Sequence, residues 1–392
     1  MLRELREQVT AERNELKRMR ELRAADVAET RDAVADLKSG VRRQGSALAR
    51  LARSSSIQSQ LEWTEQRVLD RLSRVARSGR PVIVGPWTGE IGFELLYWIP
   101  FVRWATEKFG IAPERITVIS RGGTRDWYRG IAHHYADALS VVSVDQFRAG
   151  SEAVKKQRAM RHFDRRLLRQ VAANTGERAA LLHPALMYAL FMPFWKHQAS
   201  LTRVVDHSRY RRIAASPASL PPLPATYVAV RFYFSGCFPD TPANRGFVAA
   251  TIASLAEHTN IVMLNPGFQV DDHVDYGAAG QARIHYVDMR GEPHQNLARQ
   301  TAIIAGARAF VGTYGGFAYL APLCGVNAVA FYSDRTYFVY HLELAQRAFA
   351  AVQGGALEAI DVGNAAVLRS ALATAPSPLP DHEGPDGVRI SR

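Results

Sequence analysis

One stretch in the last quarter of the chain constrains the fold more than any other. Phe310 to Asp334, FVGTYGGFAYLAPLCGVNAVAFYSD, reads as strand, glycine-rich turn, helix and second strand. Ala309, Phe310 and Val311 form a short apolar run that ends at Gly312. Gly315 and Gly316 follow, then a helical pattern with Phe317, Leu320 and Leu323 on one face. Gly325 ends that helix, and Ala328 to Phe331 restart an apolar strand. This order is a βαβ-like unit and implies a parallel sheet. Glycines at a strand-to-helix turn let a backbone approach a ligand closely. The helix start then offers N–H groups and a positive dipole end to an anion such as a phosphate. A tight turn between core elements is the plainer reading of a glycine pair. Thr313, Tyr314 and Tyr319 tilt the reading toward a ligand, because a purely structural turn needs no such polar groups.

The rest of the chain fits an α/β organisation in two halves behind a helical arm. With 392 residues, 47% hydrophobic and 22% charged, the chain has length for about two or three domains and too much apolar content for global disorder. Residues 1–78 contain no proline and are rich in Arg, Glu, Leu and Ala. Leu2, Leu5, Val9, Leu16 and Met19 open an a/d pattern, and Val27, Val34, Val41 and Leu48 repeat at heptad spacing with Leu37 and Leu51 at the matching d positions. Ile57, Leu61, Thr64, Val68 and Val75 continue it in a shifted register. The pattern predicts an α-helical coiled coil with stutters that makes the protein a homo-oligomer. A single charged helix or a partly disordered arm is the alternative.

Residues 79–222 read as a first Rossmann-like domain. Pro81–Val84, Ile116–Ser120 and Val141–Val144 are its expected strands, with a helix over Leu95–Trp104 kinked or restarted at Pro100. Lys155, Lys156, Arg158, Arg161, Arg165, Arg166 and Arg169 form a basic run, read as a solvated helix face. Pro184 to Trp195 is strongly apolar and reads as a buried helix or connector, with an exposed patch for a lipid-linked acceptor as the sharper alternative. Pro217, Pro221, Pro222 and Pro224 mark a linker. Residues 223–373 read as a second Rossmann-like domain with strands at Tyr227–Phe232, Ile261–Leu264 and Ile284–Val287, and residues 374–392 as a disordered tail.

GTYGGFAYLAPLCGVNAVAFYS resembles the donor-binding segment of GT-B glycosyltransferases, especially bacterial heptosyltransferases. There a Gly-rich turn, a helix with an aliphatic-Ala pair, a Gly and an apolar strand occur in this order. This chain carries Thr313-Tyr314-Gly315-Gly316 where heptosyltransferases commonly carry an Asp-Thr-Gly-Pro type turn. The resemblance covers roughly residues 80 to 373 in architecture. It implies the GT-B architecture of two Rossmann-like domains with the active site between them. It also implies that Gly312, Thr313, Tyr314, Gly315, Gly316 and Tyr319 hold the diphosphate of a nucleotide sugar. The nucleotide sugar is then a substrate, with no bound cofactor and no metal.

The other candidates follow from strand ends and loops. Arg231 closes a strand, where open α/β sheets bind ligands, and a guanidinium suits a diphosphate. Its V-A-V-R segment also resembles the strand-end Arg of GDP-fucose transferases; a surface ion pair is the plainer reading. Arg245 is a second candidate. Asn265, Gly267, Asp272 and His273 lie in a polar loop suited to a base or ribose, while Asn296 and Gln300 share a helix face. In the first loop, Trp87, Thr88, Gly89 and Glu90 precede a helix carrying Glu94. Heptosyltransferases resemble this, with an acidic residue after a Gly as base. That matches Glu90, with Glu94 as the other candidate. A carboxylate complementing a helix dipole is the plainer reading of either. Arg121 and Arg125 suit an anionic acceptor.

The net charge of +12 implies affinity for anionic lipid, nucleotide or nucleic acid without choosing among them. No basic-aromatic module marks a nucleic-acid binder. Neither loop gives the G-x-G-x-x-G spacing of a dinucleotide oxidoreductase. Cys237 and Cys324, without CxxC spacing, fit a reducing compartment. No signal-peptide pattern and no membrane-length apolar run is seen, so the expected location is cytoplasmic, with peripheral contact at the inner face of the membrane as an addition. The expected function is transfer of a sugar from a nucleotide sugar to a glycan or lipid-linked acceptor in cell-surface polysaccharide synthesis. The alternative is a non-catalytic coiled-coil scaffold or membrane-surface binding protein with a degenerate core.

Overall fold

The computed structural model describes residues 56–152, 156–172, 179–216, 220–265, 267–269, 274–277, 282–334 and 339–364, with helical positions at Glu15, Lys17, Arg18, Met19, Ala35, Lys38, Ser39 and Arg42. Contacts divide the chain into two units, Met1–Gln66 and Arg67–Arg392. In the first unit every described position is helical. The heptad seam of Val27, Val34, Val41 and Leu48, and the tail 374–392, lie outside the described residues. The second unit holds two parallel sheets.

Helix α1 (residues 56–77) runs into the second unit. There Val68, Leu72 and Val75 are buried in the largest hydrophobic cluster. Their i, i+4, i+7 spacing is an apolar stripe facing a core. Val68 and Val75, expected in a self-associating seam, are thus used by this chain's own α/β fold.

β1 (Val82–Val84) leads into α2, made of three consecutive segments: Ile91–Phe93, a π-helical turn at Glu94–Trp98, and Ile99–Phe109. Pro100 does not restart the helix. Lacking an N–H, it cannot donate to the Leu96 carbonyl one turn back; the Tyr210 hydroxyl does so instead at 2.8 Å. β2 (Ile116–Ser120) is as expected. The next strand is β3 (His134–Asp137), not Val141–Val144. The Asp137 carboxylate accepts from the Leu139 N–H and stops β3 in a tight turn. Ser143 then opens α3 (Val144–Glu152), its hydroxyl accepting from the Gln146 N–H. α4 (His162–Ala172), β4 (Ala180–Leu182), α5 (Ala185–Trp195) and α6 (Thr202–Asp206) complete this half. α5 buries Met187, Tyr188, Leu190, Phe191, Pro193 and Phe194, so the apolar Pro184–Trp195 stretch is a core helix rather than an exposed acceptor patch.

The second half runs β5 (Tyr227–Arg231), β6 (Tyr233–Phe234), α7 (Pro242–His258), β7 (Asn260–Met263), β8 (Val274–Asp275), β9 (Ile284–Tyr286), α8 (Asn296–Gly306), β10 (Ala309–Thr313), α9 (Gly316–Leu323), β11 (Ala328–Tyr332), α10 (Val339–Ala351) and β12 (Leu357–Asp361). The first sheet has the order β3-β2-β1-β4, the second β12-β11-β10-β5-β7-β9, and every pairing in both is parallel. β6 and β8 form a separate antiparallel pair. The strands of the second sheet, taken in chain order, lie 6-5-4-1-2-3, the doubly wound arrangement that reverses direction between β5 and β10. Continuous apolar runs such as Val82–Val84 and Tyr227–Arg231 are buried along their whole length, as strands covered on both faces must be.

Leu72 is fully enclosed, so Leu72→Ala should cost about 2–5 kcal/mol of stability in denaturant unfolding. Arg71→Ala, on the exposed side of α1, should stay within about 0.5 kcal/mol. Equal effects at the two positions would show that α1 is not part of this core.

Candidate active site

The reversal point between β5 and β10 carries most of the sequence candidates. Gly312 sits so close to β5 that a Cβ there would run into the Arg231 carbonyl. Thr313 is fully buried; its hydroxyl donates to the Tyr233 carbonyl at 2.8 Å and accepts from the Tyr233 N–H at 3.0 Å. Gly315 has φ 156° and ψ −151°, backbone that essentially only glycine adopts, and a Cβ there would meet the Tyr233 hydroxyl. Gly312 and Thr313 therefore build the turn, while Tyr314, Gly315, Gly316 and Tyr319 face a cavity.

Arg231 is only 8% exposed, and its guanidinium is held on several sides. Nη2 lies 3.1 Å from the Asp275 carboxylate, Nη1 donates to Gln300 Oε1 at 2.8 Å, and the Phe317 ring lies 4.3 Å from its central carbon. Gln300 in turn donates to Asn296, so the shared helix face foreseen from their spacing points toward Arg231. The ion pair of Arg231 is part-buried and fixes the guanidinium at a strand end rather than lying on the open surface.

The first half meets this turn with its own. A Cβ on Gly316 would come within 2.9 Å of both the Gly92 N and the Ile91 Cβ. α2 and α9 thus meet N-terminus to N-terminus across a glycine pair. Two adjoining cavities flank the contact and share Ile91 and Arg231. One, of about 360 Å³, is bordered by Arg121, Asn265, Gly267, Asp275 and Asn296 among others. The second, of about 410 Å³, is bordered by Glu90, Lys156, Cys237, the 314–316 turn, Tyr319 and His341 among others. Both volumes fall in the range of small-molecule sites. Asn265 donates to the Tyr276 carbonyl at 2.7 Å, and its buried Oδ1 has no hydrogen-bond partner.

The two acidic candidates part company. Glu90 is exposed, occupies the position before α2 and borders the second cavity. Glu94 is fully buried in the π-helical turn and borders neither cavity. It accepts from Ser120 at 2.6 Å and Tyr128 at 2.7 Å, and faces Arg121 at 3.4 Å. Burial pushes its carboxyl above the usual range, against the opposing pull of Arg121, Ser120 and Tyr128.

Several other expectations are placed away from the cavities. Trp87 is fully buried between Trp98 and Tyr188, and Thr88 is buried with its polar groups engaged. Gly89 lies against the Trp87 ring. Arg125 is exposed over the Tyr135 ring, and Arg245 is exposed and paired with Asp240. Asp272 and His273 lie outside the described residues. Among the described residues no group of three or more His, Cys, Asp or Glu could hold a metal ion. No described helix is long and apolar enough to cross a membrane.

The structure adds residues that local pattern does not mark. His341 and Tyr97 are bonded at 2.8 Å across the two halves, and burial, aided by Lys156, pushes the His341 pKa down to about 4, which keeps the ring neutral. Burial raises the Cys237 thiol and so keeps it protonated. Asp275 sits on the two-residue β8, with no periodic signal of its own.

No protein-family model matches the sequence, and no curated protein matches it. Among solved structures the chain is similar to the Escherichia coli ADP-heptose LPS heptosyltransferase II, at 10% identity and a TM-score of 0.40, covering 75% of this chain and 98% of that one. It is similar to the E. coli heptosyltransferase WaaC with ADP, at 13% identity and a TM-score of 0.38, over 75% of this chain and 99% of that one. It is also similar to a family 9 glycosyl transferase from Veillonella parvula DSM 2008, at 11% identity and a TM-score of 0.38, over 76% and 90%.

Because folding raises the Glu94 pKa above its unfolded value of 4.5, its stabilising contribution is full below that pH and lost as pH rises through the folded value. Glu94→Gln cannot ionise. The denaturation midpoint of the variant relative to the natural chain should therefore improve as pH rises above 4.5. A gap that is flat or moves the other way would contradict the buried-acid account.

Proposed function

We propose that this protein is a glycosyltransferase that moves a sugar from a nucleotide-sugar donor to a glycan or lipid-linked acceptor. One observation carries the reading. Arg231, closing β5 at the reversal point of a doubly wound sheet, borders both cavities at once. A ligand spanning both cavities passes its middle over a guanidinium, which is where a diphosphate belongs.

In this reading the nucleoside lies in the 360 Å³ cavity, where the unpartnered Asn265 Oδ1 awaits a donor from base or ribose. The sugar and the acceptor hydroxyl share the 410 Å³ cavity. As the anomeric bond breaks, negative charge builds on the diphosphate. Arg231, fixed by Asp275 and Gln300, and the first turn of α9 stabilise it without moving. Glu90, across the cavity, takes the acceptor proton. In this reading Glu94, enclosed and bordering neither cavity, is not the base but the buried anchor of Ser120, Arg121 and Tyr128. No step of the transfer runs through a metal in this reading. The reaction then takes place on the cytoplasmic side of a membrane that supplies the acceptor, and the heptad seam of Val27, Val34, Val41 and Leu48 joins copies of the chain.

Arg231→Ala should weaken donor binding in calorimetry by about 1.5–3 kcal/mol, tenfold or more. Glu90→Gln should lower turnover by about 10²–10⁴ with donor affinity nearly unchanged. Unaltered donor affinity in the first variant would remove Arg231 from the site. Unaltered turnover in the second, with chemistry limiting, would remove the base.

A further inference from the structure

Gln157, Arg161, Asp164 and His183 form a buried polar cluster that borders neither cavity. Gln157 and Asp164 are fully enclosed. A buried polar network stiffens what it holds in so far as its groups are satisfied. Besides the Gly150 carbonyl and the Ala185 N–H, its partners are the backbone and side chain of one short loop. Gln157 Oε1 accepts from the Thr88 N–H at 3.0 Å, and its Nε2 donates to the Pro86 carbonyl at 2.9 Å. A single amide thus pairs both backbone groups flanking Trp87, as a neighbouring strand would. Arg161 Nη2 donates to the Thr88 hydroxyl at 2.6 Å. Asp164 holds these two side chains in place. It accepts from the Arg161 N–H at 2.9 Å, from the Arg161 guanidinium at 3.2 Å and from Gln157 at 3.3 Å. His183 Nε2 lies 3.5 Å from it. Burial alone would raise the Asp164 pKa, but His183 and Arg161 outweigh it and the carboxyl titrates below the usual range. The loop is also tied at its start: the Gly85 N–H donates to the Leu182 carbonyl and the Trp87 N–H to the Ile119 carbonyl.

Glu90 is two residues beyond Thr88, and its carbonyl accepts the Glu94 N–H at 3.1 Å as α2 begins. The loop therefore has one fixed path from Thr88 to the cavity wall. We propose that Gln157, Arg161 and Asp164 are positioning residues that set where Glu90 stands, acting through Thr88. The inference rests on the role given to Glu90 above. It also reassigns Thr88 from acceptor contact to anchor, and Arg161 from solvated face to loop tether.

Thr88→Val keeps the side-chain shape and removes the oxygen that Arg161 holds; Thr88→Ser restores that oxygen. Hydrogen exchange of the peptide covering residues 85–94, followed by mass spectrometry, should quicken about tenfold or more in Thr88→Val and in Gln157→Leu. Thr88→Ser should match the natural chain, and peptides from the second half should exchange at unchanged rates. In a sugar-transfer assay Thr88→Val should lose about 10- to 100-fold in turnover, since a misplaced catalytic group costs that much, with donor KM unchanged. Exchange that is unaltered in Thr88→Val and Gln157→Leu overturns the positioning role. If exchange quickens while turnover stays natural, the loop is tethered but the tether does not set Glu90, and the inference also fails. A natural chain that transfers no sugar while exchange responds as expected would count against the proposed reaction, and not against the tether.

Discussion

The guanidinium of Arg231 is the point on which the architecture turns. A cation only 8% exposed needs compensation, and it receives it from three directions: Asp275, Gln300 and the face of Phe317. Each partner comes from a different part of the second half: the short β8, α8 and α9. The ion pair therefore does more than neutralise a charge. It fixes the β6–β8 pair, α8 and the glycine-rich turn around one strand end, and leaves the guanidinium facing two cavities.

The second constraint is steric. α2 and α9 begin opposite each other so closely that a Cβ on Gly316 would run into the Gly92 N and one on Gly92 would press on the Tyr319 ring. The Gly122 carbonyl accepts from the Leu297 N–H at 2.6 Å and the Ala298 N–H at 3.0 Å, so a loop of the first sheet caps α8 of the second. Trp127 donates to Thr301 at 3.1 Å, and Tyr97 meets His341. These contacts bring Glu90 and the 314–316 turn to one cavity, although the chain separates them by more than half its length.

The parts of this arrangement legible in the sequence share a physical reason. Strands buried on both faces write themselves as continuous apolar runs, and β1, β2, β5, β7, β10 and β11 all do. Arg231 and the 312–316 turn stand where such runs stop, while Glu90, six residues past β1, is marked instead by its place after Gly89 in the first loop. β3 was not legible, because its residues HYAD are polar and only partly buried, while the more strand-like VVSV beyond it is held off by the turn at Asp137. Glu94 is ambiguous for a related reason: an acid in an apolar helix reads equally as an active base or as a buried anchor, and its contacts with Ser120, Arg121 and Tyr128 come only with the fold. Asp275 and His341 carry no local signal at all. Their partners stand 44 and 244 residues away, and only the fold brings them together.

The account stands on a diphosphate crossing Arg231 between two cavities. Thermal unfolding of the full chain with saturating GDP-, UDP-, ADP-, dTDP- and CMP-sugars tests it most directly, since a ligand bound only to the folded state raises the transition by mass action. The account predicts that one base class raises the midpoint by several degrees in the natural chain and far less in Arg231→Ala. A panel that leaves the natural chain unmoved at millimolar concentration, or moves both chains equally, would contradict it.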